Sequence, residues 1–389
     1  MDNAEGASLM DELTLRIYPS VRAAAPDLET PGLAGYAFAR HAWLQAWADT
    51  FGAQAHIEPA IVVMADARIQ MVLPLGITRR NGLRTLEFLG GIVTDYNAPA
   101  IDPDFARSLD ATAVQALWRR ITAALPSHDV VCLTRMPVTL DPPEGAVGER
   151  VPNPLALLPG VNAAGQARNV TFPDRYEALT GTLRPRFWAD TQRCRRRLAE
   201  VGPIAFVVAD DDAGMRALIV SLKRMKSRRW RETHSKDWFA VPAFSDFYDA
   251  MARIDLPEGR IHGSSLNVSG TAVAAHLGLV YRSRFYLLLI GWEADGWRRF
   301  STGRLMTETL LRQAFDDGLR VFDFTVGEEA YKDDWANALM PLVRYDEAIT
   351  ARGRFATVLM TARDRLRARA TQVAWLRRIV RRLAGRPLA

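Results

Sequence analysis

Apolar and polar positions along the N-terminal part of the chain alternate between helical and strand periods. Residues 36–52 carry large apolar side chains at helical spacing, and Gly52 marks the predicted end of that helix. Its predicted inner face consists of Trp43, Leu44, Trp47 and Phe51. The segment "IEPAIVVMADARIQMVLPLGITRR" predicts two strands joined by a tight turn at 66–68. A strand at 83–91, a helix at 108–125 and a buried strand at 129–136 follow.

The C-terminal part repeats this order of elements. A basic helix at 186–201 precedes a strand, a long helix at 212–229 and three strands between 263 and 289. The segments "VVMADARIQMVLPLG" (62–76) and "SSLNVSGTAVAAHLG" (264–278) are both strand, short turn and strand. This weak internal similarity favours two related α/β domains in tandem.

Prolines interrupt the chain between the two parts. Residues 137–173 carry seven prolines and several glycines, a pattern typical of a linker or an irregular crossing segment. The sequence therefore predicts four parts. They are an N-terminal domain (30–136), a Pro/Gly-rich linker (137–173), a C-terminal domain (174–350) and a basic helical tail (351–389).

Composition and charge indicate a globular protein with a basic appendage. Apolar residues make up 49% of the 389 residues and charged residues 24%, so a sizeable core is available. Net charge is +6, yet residues 352–389 carry eleven Arg and one Asp, so the rest is near −4. We expect no signal peptide and no membrane span, because no apolar run approaches about 18 residues. Two cysteines predict neither a disulfide framework nor a metal site, and a cytoplasmic protein is the expectation.

The tail contains an amphipathic pattern at 363–384. Its apolar stripe, surrounded by arginines, consists of Leu366, Ala370, Val373, Leu376, Val380 and Leu383. Such a helix is typical of peripheral binding to an anionic membrane surface, here the inner face of the membrane. Docking on the acidic body of the same chain, or binding of a nucleic acid or nucleotide, is the alternative.

A polar turn precedes a helical pattern within 298–327. Small residues at 301–303 let a ligand approach the backbone, and three arginines surround them. A helix N-terminus presents unpaired N–H groups and a positive dipole end, which suit a pyrophosphate. The turn has neither the Gly–Lys–Ser/Thr of a P-loop nor the three glycines of the dinucleotide fingerprint. A solvated helix cap with surface arginines is the alternative.

Several segments, in a fixed order, resemble one enzyme family. "FSTGRLM" and "AFDDGLRVFDFTVGEEAYKDDW" are similar to the Ser–Pro–Gly turn and the Phe–Asp–Phe strand of the tandem-GNAT acyltransferases. This branch includes the CelD-like acetyltransferases and the FemAB-like transferases. "HAWLQAWADTFG", "VLPL", "TDYNAP", "RFWADTQRCRRRLAEVG" and "VAAHLGL" resemble it in the same order, so the likeness spans residues 36–345. Thr302 stands where the branch has proline. The replacement makes the turn less rigid, but a backbone that binds an anion does not require proline.

The resemblance implies two tandem GNAT-like domains, each a mixed sheet flanked by helices, with an acyl-CoA site in the second. GNAT enzymes bind the pantetheine arm between two splayed parallel strands, here 284–291 and 320–326. The pyrophosphate turn is then formed by Arg299, Phe300, Ser301, Thr302, Gly303, Arg304 and Leu305. Acetyl-CoA or a longer acyl-CoA is the implied co-substrate, with no permanently bound cofactor and no metal. Attack of an amine on the thioester requires a base, N–H groups for the oxyanion and an acid for the thiolate.

Two residues of the second domain are candidates for the base. Asp323 lies on a predicted central strand, where a carboxylate is costly unless it is paired. It would take the proton or anchor the acceptor amine, and a structural ion pair is the alternative. His276 lies in the middle of a strand and titrates near neutrality. It would serve as the base, and a core histidine is the alternative.

Further candidates follow from the resemblance. Tyr331 would protonate the thiolate, as GNAT tyrosines often do, and Lys332 would bind an acidic acceptor. A helix surface is the alternative for both. Asp95 and Tyr96, in "TDYNAP", would line the acceptor cleft.

The predicted function is acyl-CoA-dependent N-acylation of an amine on a cell-envelope precursor. The acceptor would be an amino sugar of a surface polysaccharide, as the CelD-like resemblance implies, or a sphingoid-type lipid amine, as the tail favours. A FemAB-like transferase with an aminoacyl-tRNA donor is the alternative, although the heptad run that such enzymes often carry is missing here. A non-catalytic nucleic-acid or nucleotide binder is the alternative from another class. No base-stacking aromatic motif supports it, so no nucleic-acid partner is expected.

Overall fold

The computed structural model describes residues 13–52, 56–80, 82–145 and 150–357, and the predicted tail helix at 363–384 lies outside these ranges. The described helices are α1 (Ala25–Leu28), α2 (His41–Phe51), α3 (Pro103–Ser108), α4 (Ala111–Ala124), α5 (Tyr176–Thr182), α6 (Pro185–Ala199), α7 (Asp212–Glu232), α8 (Pro242–Met251) and α9 (Thr302–Asp316). The described strands are β1 (Thr14–Tyr18), β2 (Ile57–Ala65), β3 (Ile69–Arg80), β4 (Leu83–Phe88), β5 (Ala100–Ile101), β6 (Val130–Pro137), β7 (Thr139–Leu140), β8 (Val151–Pro152), β9 (Asn162–Thr171), β10 (Ile204–Val208), β11 (Gly259–Val268), β12 (Thr271–Tyr281), β13 (Arg284–Trp292), β14 (Val321–Asp323) and β15 (Ala338–Ala348).

One mixed sheet of thirteen strands runs through the described part of the chain. Its order is β1-β2-β3-β4-β6-β15-β9-β14-β13-β12-β11-β10, with β5 beside β3. β7 and β8 form a separate antiparallel pair. The helix expected at 36–52 is α2, which buries Trp43, Leu44 and Trp47 as its apolar spacing predicts.

The two ends of the sheet have the same order of elements. The antiparallel strands β1 to β4 are followed by α4 and by β6, which pairs with β4 in parallel. At the other end, β10 to β13 are followed by α9 and by β14, which pairs with β13 in parallel. A parallel pair needs a crossover connection, and each half uses a helix for it. The prediction of two related α/β units is confirmed by this repeat.

Two long strands are exchanged between the halves. β9 follows the N-terminal half in sequence but pairs with β14 of the C-terminal half. β15 ends the C-terminal half but pairs with β6 of the N-terminal half. β9 and β15 also pair with each other, so they join the two halves into one sheet.

The segment 137–173, predicted as a linker or an irregular crossing segment, contains the ten-residue strand β9. No proline lies between Pro159 and Pro173, so the ten residues of β9 contain none. Each of them can therefore donate to a neighbouring strand. The division into an N-terminal and a C-terminal domain at 30–136 and 174–350 stays a proposal.

Two apolar clusters cover the sheet. The larger one includes buried side chains of α2, α4, α7 and α8. The smaller one lies under α6 and α9 and contains the residues around β13 and β14. No helix in the described ranges combines the length and the apolar character that crossing a bilayer requires.

Candidate active site

The strands β13 and β14 separate after a short parallel contact. Only Arg284–Tyr286 and Val321–Asp323 pair with each other. β13 continues to Trp292, whereas the chain after β14 turns away at Thr325, whose φ of 58° is left-handed. Beyond Tyr286, no described strand pairs with the edge of β13 that faced β14. The splay expected between 284–291 and 320–326 is present, although β14 itself is short.

A cavity of about 390 Å³, here called the donor cavity, opens where these strands separate. Apolar walls come from Ile290 and from three rings, those of Phe187, Trp292 and Trp335. The turn residues 301–304 complete the wall at the start of α9. The cavity therefore combines an apolar lining with a helix N-terminus.

The turn before α9 leaves backbone donors free. Ser301 precedes the helix with left-handed angles, φ 51° and ψ 48°, and its carbonyl accepts hydrogen bonds from the N–H groups of Arg304 and Leu305. The N–H groups of Thr302 and Gly303 have no acceptor within the described residues. Together with the helix dipole, these two groups give the wall a positive partial charge.

The hydroxyl of Thr302 is an unpartnered polar group in the same wall. The residue is 1% exposed, and its Oγ1 finds no hydrogen-bond partner in the described ranges. Leaving a buried hydroxyl unpaired costs roughly 1–3 kcal/mol, so native structures rarely keep one without a reason. The nearby Thr307 hydroxyl, by contrast, donates to the Gly303 carbonyl at 3.1 Å. Thr302 thus offers a free donor to a ligand in the donor cavity.

Gly303 brings α9 into close contact with the end of β13. A Cβ atom at this position would lie 2.7 Å from Cε3 and 3.0 Å from Cδ2 of the Trp292 ring. Those distances are shorter than van der Waals contact, and an indole ring cannot bend away from them. Any side chain at 303 would therefore displace Trp292, which is itself part of the cavity wall.

Three arginines line the donor cavity. Arg298 pairs with Glu232 at 2.7 Å, and Arg304 pairs with Asp190 at 2.7 Å. Arg229 lies 3.8 Å from the same Glu232. Because Glu232 is shared by three guanidinium groups, the third being that of Arg228, the rim retains positive charge.

A second cavity of about 860 Å³ adjoins the first and shares Phe187 and Arg304 with it. We call it the arginine groove. Its remaining charged lining lies on α6 or one residue before it: Arg184, Arg186, Asp190, Arg193 and Arg196. Two connected cavities with this lining suit a ligand that carries several phosphates.

Three residues of the predicted pyrophosphate turn do not line the donor cavity. Phe300 is 4% exposed and Leu305 fully buried, and both belong to the apolar cluster under α9. The Arg299 guanidinium stacks on the Phe300 ring, with Cζ 4.7 Å from its centroid. The structure therefore favours 301–304 over these three as ligand contacts, and the binding role of the whole turn stays a prediction.

Asp323 lies in a buried hydrogen-bond network. Its Oδ2 accepts from Nη1 of Arg284 at 3.0 Å. Its Oδ1 accepts from the Tyr96 hydroxyl at 2.7 Å and from the Thr325 N–H at 2.7 Å. With its side-chain amide turned to satisfy both polar atoms, Asn169 also donates to the same oxygen at 2.8 Å. Burial raises the pKa of Asp323, while the Arg284 charge and the hydrogen bonds oppose that rise.

The network crosses between the halves and is saturated. Arg284 also binds Asp141, through Nε at 2.5 Å and Nη2 at 2.6 Å. Asp323 and Tyr96 are 0% and 1% exposed, and neither lines the donor cavity. These contacts favour the alternative of a structural ion pair for Asp323. The role of Asp323 as the base and the place of Tyr96 in the acceptor cleft stay predictions.

His276 is a core residue. It is fully buried on β12, its ring stacks on Phe285 with centroids 5.3 Å apart, and His262 lies beside it at 5.7 Å. Burial lowers the pKa of His276 well below its ordinary value, and the neighbouring His262 adds to this. The histidine does not line the donor cavity. Its contacts favour the alternative of a core histidine, and its role as the base stays a prediction.

Tyr331 and Lys332 both follow β14, but only Tyr331 reaches the donor cavity. Tyr331 lines the donor cavity, and burial together with the Glu329 charge raises the pKa of its phenol, which stays protonated. Lys332 is 3% exposed, and its ammonium donates to the Val326 carbonyl at 2.8 Å and contacts the Glu329 carboxylate at 2.9 Å. The ammonium of Lys332 thus fixes the chain after β14, and its role in acceptor binding stays a prediction.

Asp95 is a half-buried carboxylate beside the point where the strands separate. Burial raises its pKa to about 6, although Arg135, Lys332 and the Thr325 side chain act in the opposite direction. The Thr325 hydroxyl lies 3.4 Å from the carbonyl of Leu287, the first residue of β13 without a β14 partner. Asp95 is thus placed near the splay, with a pKa suited to proton transfer near neutrality.

Sequence reasoning missed several residues of the cavity wall. Trp292 ends β13, Phe187 lies in the basic helix α6, and Arg229 lies on α7. The only available signal for Phe187 was its place in a segment already similar to the tandem-GNAT branch. In the described part of the chain, no group of three or more His, Cys, Asp and Glu side chains could hold a metal ion.

Residues 185–333 match the family model of the acetyltransferase (GNAT) domain. The chain contains a GNAT domain. The match begins with α6 and ends just after Lys332, so it includes both splayed strands and the turn before α9. Because the N-terminal half repeats the strand order of this domain, the chain has a tandem GNAT-type fold. None of the curated proteins compared with the sequence matches it.

Solved structures are similar to this chain at low sequence identity. FemX is 12% identical, with a TM-score of 0.55 over 85% of this chain and 96% of its own. L-PGS from Bacillus licheniformis is 10% identical, with a TM-score of 0.46 over 82% of this chain and 94% of its own. A tandem GNAT protein from the clavulanic acid biosynthesis pathway is 11% identical, with a TM-score of 0.39 over 87% of this chain and 100% of its own. Of these three structures, only FemX has a TM-score above 0.5, and this likeness concerns the fold alone.

Proposed function

We propose that this protein is an acyl-CoA-dependent N-acyltransferase whose donor occupies the donor cavity. The observation that carries the proposal is Thr302, a residue of the cavity wall whose buried hydroxyl has no hydrogen-bond partner in the described ranges. The free N–H groups of Thr302 and Gly303 lie next to it at the start of α9. A pyrophosphate would accept hydrogen bonds from all three donors.

The pantetheine arm would extend from this turn into the splay. An extended chain with amide groups can pair with the open edge of β13 beyond Tyr286, as an added strand does. The apolar rings of the donor cavity would cover its methyl and methylene groups. The thioester then lies near Thr325, where the chain turns away from β13.

Two side chains near the splay can move the protons of the reaction. We propose that Asp95 takes one proton from the acceptor ammonium, which leaves a neutral amine able to attack the thioester carbonyl. The C–N bond forms, the C–S bond breaks, and the sulfur leaves as a thiolate. Tyr331 gives its proton to that sulfur and is reprotonated by the nitrogen of the tetrahedral intermediate. The overall products are an amide, free CoA thiol and one released proton.

For the acceptor we propose the amine of a cell-envelope precursor, either an amino sugar of a surface polysaccharide or a sphingoid-type lipid amine. The CelD-like resemblance supports the sugar. The basic amphipathic pattern at 363–384 supports a lipid amine presented at an anionic membrane. Thiol release from acetyl-CoA and from a long-chain acyl-CoA, measured with each acceptor class in turn, identifies the pair.

The donor assignment is tested by Thr302→Val, with Thr302→Ser as the matched control. Valine has nearly the shape of threonine and removes only the hydroxyl, so the variant should be as stable as the wild type or more so. Acetyl-CoA should bind the valine variant about tenfold more weakly by titration calorimetry, because a hydrogen bond to a charged phosphate is lost. The serine variant keeps the hydroxyl and should bind within about threefold of the wild type. Wild-type affinity in a folded valine variant would remove the assignment.

An aminoacyl-tRNA is the second candidate donor, and the arginine groove is the observation that favours it. Its arginines could contact the phosphates of an RNA 3′ end. Such a donor would bind with a steep salt dependence, and the wild-type protein would show no affinity for acetyl-CoA. The calorimetric titration therefore separates the two donors.

A further inference from the structure

One face of α6 presents the arginine groove. Arg186, Ala189, Asp190, Arg193 and Arg196 follow one another at steps of three, one, three and three residues, which places them on one side of a helix. Ala189 has no side chain beyond Cβ, so it leaves space between the longer residues. The groove is thus an open trough with guanidinium groups along it.

Two arginines of this face lack an acidic partner. Asp190 pairs with both Arg193 and Arg304. Arg186 and Arg196 are exposed and form no ion pair with any described residue.

Some other arginines of the same half are compensated. Arg224 and Arg228 both pair with Glu293, and Arg216 pairs with Asp212. Arg186 and Arg196 differ from further exposed arginines such as Arg197 because both line one cavity. Two unpaired guanidinium groups in one trough mark a place for an anion.

The groove lies next to the proposed pyrophosphate position. Arg304 and Phe187 belong to both cavities, so a ligand that passes Arg304 leaves the donor cavity and enters the groove. In an acyl-CoA, the pantetheine arm leaves the pyrophosphate in one direction and the adenosine in the other. With the arm in the splay, the adenosine and its 3′-phosphate would extend past Arg304.

We propose that the arginine groove binds the 3′-phosphorylated adenosine end of CoA, with Arg186 and Arg196 at the 3′-phosphate. This inference rests on the proposed function, since it needs the pyrophosphate at the turn before α9. It has a consequence for the substrate class: the donor is a free CoA thioester. An acyl group on the phosphopantetheine of a carrier protein has no nucleotide and would leave the groove empty.

The experiment compares CoA with dephospho-CoA, which lacks only the 3′-phosphate. Calorimetry on the full chain should give about tenfold weaker binding of dephospho-CoA to the wild type, because charge-assisted hydrogen bonds to the phosphate are lost. In the double variant Arg186→Ala/Arg196→Ala, CoA should bind about tenfold more weakly than in the wild type. Dephospho-CoA should change by less than about twofold, so the preference for CoA disappears.

Arg197→Ala is the matched control. Arg197 is exposed on the same helix and has the same charge, but it does not line the groove and lies over the Phe300 ring, with Cζ 5.9 Å from the centroid. This variant should keep the full preference for CoA over dephospho-CoA. An equal loss of preference in Arg197→Ala would show a general charge effect and overturn the inference.

The remaining outcomes separate the inference from the proposed function. If the wild type binds CoA and dephospho-CoA equally, the inference is wrong and the proposed donor stands. If the wild type binds neither, the proposed donor is wrong and the inference fails with it. If the double variant keeps CoA binding but loses a short RNA hairpin with a CCA 3′ end, the groove serves an RNA and the inference is overturned. Melting curves by circular dichroism confirm that each variant is folded.

Discussion

The hydroxyl of Tyr96 donates a hydrogen bond to Oδ1 of Asp323 at 2.7 Å, across the junction of the two halves. Tyr96 belongs to the loop after β4, whereas Asp323 ends β14. On its other side, Asp323 pairs with Arg284, which also holds Asp141 of the segment between the two halves. Asp323, the acid that the sequence most favours as a catalytic residue, therefore joins the two halves.

Loss of this carboxylate should destabilise the protein severely. Asp323→Ala leaves the buried Arg284 with one acid fewer and the Tyr96 hydroxyl without its acceptor. We expect the free energy of unfolding to fall by about 3–5 kcal/mol, as for a buried pair with one partner removed. Tyr96→Phe removes one hydrogen bond and should cost roughly 1–3 kcal/mol. Urea denaturation followed by circular dichroism measures both.

An exposed pair provides the control for these variants. Arg216 pairs with Asp212 at 3.5 Å on the surface of α7, so Arg216→Ala should change stability by less than about 0.5 kcal/mol. If Asp323→Ala kept wild-type stability and lowered kcat by about 10²–10⁴-fold, the result would support Asp323 as a catalytic residue.

Activity should depend on the ionisation of Asp95. Burial raises the pKa of this carboxyl to about 6, so it is protonated below that pH and cannot accept the ammonium proton. We expect kcat/KM to fall as the pH drops through about 6 and to level off above it, until other groups titrate. Asp95→Asn should lower kcat by roughly 10²–10⁴-fold and abolish this inflection, while acetyl-CoA still binds. An unchanged pH profile in the asparagine variant would exclude Asp95 as the base.

Alanine at 303 should already disturb the donor cavity. Its Cβ would lie 2.7 Å from the Trp292 ring, so the ring must move into the space of the ligand. We expect Gly303→Ala to weaken acetyl-CoA binding about tenfold or more, whereas Gly303→Glu adds charge repulsion to the same clash. Trp292→Leu in the Gly303→Ala background should restore part of the affinity, with a coupling energy of about 0.5–3 kcal/mol. Additive losses in the double variant would mean that the ring is not the obstacle.

The tail prediction concerns residues outside the described ranges. A net charge of +10 in 352–389 beside one apolar stripe favours attachment to anionic vesicles. Each arginine at such a surface contributes about 1 kcal/mol, screened by salt. Removal of 360–389 should therefore release the protein from the vesicles and leave acetyl-CoA binding intact.

Serine in place of Leu376, Val380 and Leu383 separates insertion from charge attraction in the tail. If the apolar stripe inserts, this triple variant should bind vesicles more weakly even at low salt. Sedimentation of the full chain with vesicles is the readout. Full-length protein that stays in the supernatant at low salt would leave the lipid acceptor without support.

Much of the fold was predictable because local pattern and tertiary structure agree. The apolar spacing of 41–51, the hairpin turn at 66–68 and the strands of 263–289 each determine their own secondary structure. β9 was not predictable in this way, since "NAAGQARNVT" has no aromatic residue and its β-branched residues, Val170 and Thr171, stand only at its end. Its pairing with β14 and β15 stabilises it, and no local pattern reports such partners.

The candidate site was only partly predictable for a related reason. The turn at 301–304 carries its chemistry in consecutive residues, so sequence alone located it. The role of Asp323 depends on its network with Arg284 and Asp141. Both residues are distant from it in sequence and come close to it only in the folded chain. His276 could not be separated from a core histidine, because an alternating strand pattern does not say which polar residue faces a cavity.

The strand exchange leads to a prediction about fragments. A fragment of 174–357 lacks β9, so β14 loses its antiparallel neighbour and β15 loses both of its partners. Arg284 and Asp323 would also lose Asp141 and Tyr96, which leaves buried groups unsatisfied. We expect this fragment to show no cooperative thermal transition by circular dichroism. A fragment of 160–357 restores β9 and should regain hydrogen-exchange protection at 321–323, although its melting temperature should stay below that of the full chain. Cooperative melting of 174–357 near the temperature of the full chain would show that the C-terminal domain is independent of the exchanged strand.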